Sequence, residues 1–422
     1  MAKYAIDLTP LKKYPDFRNL WTAGLISYFG SMITYVALPF QLKELTGSYL
    51  AVGLLGVVEI VPLIIFGLYG GVLADSVDRK KMVWATEAGA LILVLVLLGN
   101  SLLGSPTTLA IYLVAALFAV VDGLQRPSMD AMLPRLVSHE DLPAASALLS
   151  LRWQLGVIVG PTIGGIIFST MSVSAGYVVD IATYILSLLF LARVRSIPPS
   201  KEAEKPSLAA LLDGVKYAFR RQDLLGTYII DLAAMTLAMP MALYPFWADE
   251  LNAPWALGMF YAAITVGSVI VTLTSGWTRT YRFHGRAVIL AAMGWGLAIA
   301  AAGLSNSLIL VLLFLTIAGA SDMVSALFRG NIWNQTIPDN FRGRLAGIEL
   351  LSYSVGPLAG QLRAASMAAA TTLSISVTSG GLMCVVVVAL LAIFLPKMWK
   401  YDVQTNEFAV REREIRKNRE IS

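Results

Sequence analysis

Asp122 and Arg126 stand four residues apart in an apolar stretch, so on a helix they share one face and can form an intrahelical ion pair. A carboxylate beside a path that alternately gains and loses water can load and release a proton, which makes this pair the first candidate for ion coupling. The alternative is a permanent ion pair that ties its helix to its neighbours. Other ionisable residues lie in similar stretches: Glu59, Glu87, Arg152, Asp180, Asp231, Asp322, Arg329, Glu349 and Arg363. Charge is expensive in hydrocarbon, so such side chains line a pathway or pair with one another. Glu349 opens its stretch, where a carboxylate answers a helix dipole.

The elements that must carry these residues follow from composition. Over 422 residues the chain is 57% hydrophobic and 14% charged, with a mean hydropathy of +0.70. No soluble fold buries so much apolar surface, and each crossing of a ~30 Å hydrocarbon layer needs about 20 apolar residues. Twelve runs qualify: 17–43, 49–75, 80–103, 107–136, 142–171, 174–194, 223–249, 254–279, 285–304, 307–337, 342–370 and 373–396. The expected fold class is all-α: a polytopic membrane protein with twelve transmembrane helices. Lys and Arg cluster in alternate loops and spare the others apart from Lys43, which places both termini in the cytoplasm. The formal charge of +5 is this insertion bias, so no nucleic-acid partner is expected.

Several chemistries are set aside. Residues 1–16 are polar and the first apolar run exceeds a signal-peptide core, so no cleavable signal is expected. Cys384 is the only cysteine, and His139 and His284 fall in predicted loops, so no disulfide within the chain, metal site or embedded enzyme is expected. No Gly-x-x-x-x-Gly-Lys-[Ser/Thr] phosphate loop occurs, which leaves a proton gradient rather than a cofactor as the energy source.

The polar connection 196–222 separates an N-terminal six-helix bundle (1–195) from a C-terminal one (223–396), with a charged tail over 397–422. The connection starts as a Pro- and Lys-containing linker. It continues as an amphipathic surface helix carrying Leu208, Leu211, Leu212, Val215 and Phe219. The tail is expected to be frayed. Asp122 and Arg126 in span four are repeated as Asp322 and Arg329 in span ten, and Pro134 as Pro338. Gly160, Pro161 and Gly164 in span five are repeated as Gly356, Pro357 and Gly360; the glycine and proline positions of this motif are 196 residues apart and the preceding pairs 200 to 204. Duplicated halves six spans apart have the same orientation, which predicts two pseudo-symmetric bundles about an axis along the membrane normal.

Between spans two and three runs a charged turn, Gly71 to Lys81, that contains Gly71, Asp75, Arg79 and Lys80. Span five carries Gly156, Gly160, Pro161, Gly164 and Gly165. With these motifs the chain resembles the major facilitator superfamily from Tyr14 to Pro396. The turn matches its cytoplasmic gate signature, with departures at Ser76 and Asp78. The resemblance implies that Asp75 receives hydrogen bonds from the start of span eleven; anchoring of Arg79 and Lys80 to anionic lipid is the alternative. The span-five glycines resemble the signature of antiporter branches. Glycines four apart let helices approach and Pro161 removes a backbone bond, either for rocking or only for packing.

Further segments are similar to the drug and siderophore exporter branch: Pro15 to Trp21, Leu38 to Gly47, Asp180 with Ala182 to Tyr184, Asp231 to Met235 with Pro240, and Phe341 to Arg344. The resemblance implies proton-coupled export of an enterobactin-like siderophore or similar amphipathic molecule by alternating access; multidrug or macrolide efflux is the alternative. An uptake symporter fits less well. By the same resemblance Glu59 and Asp231 stand on helices that line the cavity, while Arg152, Asp322 and Arg329 join the candidate transport path as ionisable residues within apolar spans. Asp180, on a helix toward the lipid, is assigned to packing or hydrogen bonding. Trp153, Met235, Met239, Tyr244 and Tyr261 are candidate cavity walls, although such residues at helical spacing also serve as core. The expected setting is the inner plasma membrane, as a monomer, with lipid and a small amphipathic substrate as partners.

Overall fold

The structure is a computed structural model that describes residues 7–198 and 216–421. Within its helices the side chains at 68, 71, 72, 74–76, 130, 279, 339–344, 346–352 and 416–421 lie outside the description. All regular structure among the described residues is helical. The first six long helices are α1 (Pro15–Thr46), α2 (Tyr49–Ser76), α3 (Arg79–Ser101), α4 (Thr108–Leu136), α5 (Leu142–Thr170) and α6 (Val173–Ala192). The second six are α7 (Gln222–Ala238), α8 (Leu257–Leu273), α9 (His284–Gly303), α10 (Leu308–Thr336), α11 (Asp339–Ala370) and α12 (Leu373–Phe394).

Eleven helical segments among the described residues are long and apolar enough to cross a membrane. The remaining expected span, α11, is a 32-residue helix whose Arg342, Arg344, Glu349 and Arg363 dilute its apolar character. Helix starts follow local chemistry: Ser48, Asp78, Ser172 and Thr372 each accept a backbone N–H three residues on. Pro39, Pro62, Pro127, Pro134, Pro161 and Pro357 lie inside helices, as spanning helices tolerate when neighbours supply hydrogen bonds.

The chain forms two compact units, Met1–Lys205 with Ala248–Ala262, and Pro206–Trp247 with Ala263–Ser422. In the first, α1 packs on α5 and α6, α2 on α4, and α3 on α4 and α6. In the second, α9 packs on α10 and α12, and α7 on α11 and α12.

Three expectations change. Span seven is not continuous. Pro240 disfavours helical backbone at Met239, which takes φ −95° and ψ 109°, so α7 stops at Ala238 and a separate helix, Tyr244–Glu250, follows a 3-10 turn. His284 is not in an exposed loop: it opens α9, is 3% exposed and lies against Phe328 and Tyr401.

The tail, expected to be frayed, is helical over Glu407–Ile421 and packs within the second unit. Asp402 binds Arg282, whose Nε donates at 2.9 Å, and Phe408 lies 3.7 Å from the Arg221 guanidinium. Tyr401 is buried, and helix α13 (Glu407–Ile421) follows. These specific pairs outweigh the tail's polar composition. Most of the expected amphipathic linker helix falls outside the described residues. Its described end is helical over Lys216–Phe219 and buries Ala218, and Arg221 pairs with Asp223 at 2.7 Å.

Candidate functional site

In the first unit α4 presents Asp122 and Arg126 as a pair at 3.5 Å, with side chains 51% and 43% exposed. Tyr28 of α1 and Glu59 of α2 lie within electrostatic range of Asp122. Tyr35 in turn senses Glu59. Arg152 of α5 lays its guanidinium against Gly24 of α1, where any side chain would displace it. Four of the expected path residues, Glu59, Asp122, Arg126 and Arg152, therefore converge around Tyr28 and Tyr35.

In the second unit the convergence is tighter. Arg329 of α10 binds Asp231 of α7 through Nη1 and approaches Asp322 Oδ1 at 3.9 Å through Nη2. Arg329 and Asp231 have side chains 8% and 5% exposed, whereas Asp322 is 33% exposed. One guanidinium thus stands between two carboxylates, of which Asp322 is the more exposed. The repeat seen in sequence is imperfect here. Asp122 and Arg126 are one turn apart, while Asp322 and Arg329 are two turns apart, which frees Arg329 to reach across to α7.

The glycines of α5 are contact points. A Cβ at Gly156 would strike the Tyr28 ring, one at Gly160 would lie 2.8 Å from Phe29 O, and one at Gly164 would touch Ile33. Gly165 meets Gly258 in the same way, and Pro161 O also faces Gly258. In the second unit, a Cβ at Gly356 would lie 2.9 Å from Met235 Cβ, and one at Gly360 2.8 Å from Met239 Cβ. Both halves therefore use glycines of span five or eleven to seat span one or seven.

The seating also shows where the candidate cavity-wall residues lie in this conformation. Met235, Met239 and Tyr244 are buried at 7%, 6% and 0% exposure, the two methionines against α11. Tyr261 is 5% exposed and meets Tyr35 edge-on at 5.9 Å. Trp153, 51% exposed, is the one member of that set with a largely open ring.

Of the gate motif, the side chains of Gly71 and Asp75 lie outside the described residues, as does that of Glu349. The rest ties α3 to the last residue of α6 and to the segment that follows it. Arg79 N–H donates to Ile197 O at 3.0 Å and Lys80 Nζ to Ala192 O at 3.0 Å. Asp78 caps α3 and also binds Ser196 Oγ. Burial of the Asp78 carboxyl opposes its charge, but the bonds from Ser196 and from backbone N–H groups outweigh that and hold it below the usual carboxylate range. Lys43, legible in sequence only as a lone base, binds Asp249 and lies 2.8 Å from Glu44.

The family described as transmembrane secretion effector matches residues 5–419. The enterobactin exporter EntS of Shigella boydii is 29% identical over 400 residues, covering 94% of this chain and 96% of that protein. Among solved structures, a mutant form of the nucleoside transporter NupG superposes with a TM-score of 0.74 at 12% identity, over 91% of this chain and 100% of that one. A POT family transporter gives 0.68 at 13% identity, over 90% and 96%. These likenesses show the fold, which is that of the major facilitator superfamily.

Proposed function

We propose, from the premise that this chain belongs to the transmembrane secretion effector family, that it exports an enterobactin-like siderophore or a similar amphipathic small molecule in exchange for protons. The likeness to enterobactin exporters along nearly the whole chain supports the substrate class. The triad of buried Asp231 and Arg329 with the more exposed Asp322 supports the coupling. With both carboxylates ionised the triad carries one excess negative charge at membrane depth, and a proton on Asp322 removes it. Asp122, beside Arg126, is the corresponding group of the first unit.

In this reading the two six-helix halves alternate access to a shared path in the inner membrane, the protein acts as a monomer, and both termini are cytoplasmic. Inside-out vesicles acidified in the lumen, with a pH-sensitive fluorophore, test it. Adding enterobactin should release lumenal protons, and Asp122→Asn and Asp322→Asn should each abolish that release while the protein stays folded. Release on adding a macrolide or a cationic dye instead would transfer the assignment to drug efflux. No release with any of the three would overturn proton-coupled export.

A further inference from the structure

The interface between α1 and α6 is polar where bundle interfaces are usually apolar. Along α1, Ser27, Ser31, Thr34 and Gln41 share one face, and along α6 so do Tyr177, Asp180, Tyr184 and Ser187. The two sets pair in antiparallel order. Ser27 Oγ donates to Glu87 Oε1 of α3 at 3.1 Å, Ser187 Oγ to Glu87 Oε2 at 3.3 Å, and Gln125 Nε2 adds a bond at 2.9 Å. One turn on, Tyr184 lies beside Ser31, whose Oγ donates to Tyr28 O at 3.1 Å. Next, Thr34 donates to Asp180 Oδ2, and Thr183 Oγ1 to Asp180 Oδ1 at 3.2 Å. Finally Tyr177 donates to Gln41 Oε1 at 2.7 Å. From Ser27 to Gln41 the seam runs roughly 21 Å, at 1.5 Å per helical residue, through much of a ~30 Å hydrocarbon layer.

Packing does not require this chemistry, as the second unit shows. Ser172 and Thr372 cap α6 and α12 at a separation of 200 residues. At that spacing Tyr177, Asp180 and Tyr184 correspond to Val377, Gly380 and Cys384, all buried in the second unit. The repeated helix has no carboxylate at these positions, and the polar group it meets at Gly380 is the Arg363 guanidinium of α11, which donates to Ser376 O at 2.9 Å. Among the described residues, the pairing of hydroxyls with a buried carboxyl is seen only in the first unit.

Asp180 is 0% and Glu87 6% exposed, and their direct hydrogen-bond partners are hydroxyls and one amide. Arg152 faces Glu87 from α5, Tyr177 and Tyr184 flank Asp180 from its own helix, and Asp122 of α4 is in electrostatic range of Tyr184. The two carboxyls also sense one another. Two like charges in so dry a seam repel, and one proton between them relieves the repulsion.

We propose that this seam is a proton-holding site in which Asp180 and Glu87 share one exchangeable proton, apart from the half-exposed Asp122–Arg126 pair. Serine, threonine and glutamine side chains can rearrange their hydrogen bonds, so the groups around each carboxyl can satisfy it whether it is protonated or ionised. A proton entering at one carboxyl is matched by one leaving at the other. The role in transport rests on the proton-coupled reading above; the occupancy does not.

Infrared difference spectra of the purified protein between acid and alkaline pH test occupancy directly. The protonated-carboxyl stretch should lose intensity in Asp180→Asn and in Glu87→Gln, both of which keep hydrogen-bonding capacity. In vesicles the same variants should lose enterobactin-driven proton release, and the milder Thr34→Val should shift its pH profile. Unchanged carboxyl bands in both variants would overturn the site. So would full proton release with an unchanged pH profile in all three variants, each shown folded by thermal unfolding. Absence of proton release in the unsubstituted protein, with the carboxyl bands assigned as expected, would instead overturn the coupled-export reading and leave the seam standing.

Discussion

Arg329 of α10 binds Asp231 of α7 across 98 positions of sequence, with both side chains under a tenth exposed. Asp322, two turns back along α10, approaches the same guanidinium at 3.9 Å from its more exposed side. The pair therefore joins two helices, while the third member offers a titratable group at the edge of a buried charge.

Removing the cation should be costly. Arg329→Ala leaves Asp231 without this partner in a dry site, and loss of one member of a buried pair destabilises by about 3–5 kcal/mol. Thermal unfolding of the purified protein should show a large drop, partly recovered when Asp231→Asn is added. An additive further loss in the double variant would show that the pair is not the source.

Asp122→Asn should behave oppositely. Its pair with Arg126 is about half exposed, and such i,i+4 pairs contribute only ~0.3–0.5 kcal/mol, so the unfolding midpoint should barely move. Proton release should nevertheless be lost. Equal losses of stability and of proton release would instead mark the pair as structural.

Legibility from sequence followed how local each signal is. The ends of α2 and α4 could be read within a residue or two, because apolar length, caps and loop charge all lie nearby in the chain. The break in span seven lies at a visible proline, Pro240, yet the apolar run continues through it and hides the break. Met235 and Met239 could be read only as candidate cavity walls, because composition cannot say that Gly356 and Gly360 lie opposite. Tail docking was invisible for the same reason. Asp402 and Phe408 are ordinary members of a charged segment until Arg282 and Arg221 stand beside them.

The glycines of α5 yield a graded test. At Gly160 an added methyl would meet the Phe29 carbonyl and Met32 Cβ, neither of which can swing away, so Gly160→Ala should destabilise by about 1–3 kcal/mol. At Gly156 the obstacle is the Tyr28 ring, a side chain that a smaller residue can replace. Gly156→Ala should therefore be rescued by Tyr28→Leu in thermal unfolding, and Gly160→Ala should not. Rescue of both, or of neither, would contradict the contacts assigned to them.

Docking of the tail should depend on pH through Asp402. Burial of this carboxyl opposes its charge, but the bonds from Arg282 and from the Gln404 backbone N–H prevail and hold it below the usual carboxylate range. A group depressed in the folded state contributes its stability above its unfolded value, near ~3.9 for aspartate, and loses it as pH falls through the folded value. Asp402→Asn should thus lower the unfolding midpoint at neutral pH, and the gap to the unsubstituted protein should close as the medium is acidified below about pH 4. Arg282→Gln should reproduce the neutral-pH loss, since it removes the other half of the same contact. A gap that stays constant from neutral to acid pH would mean that Asp402 acts through packing rather than charge.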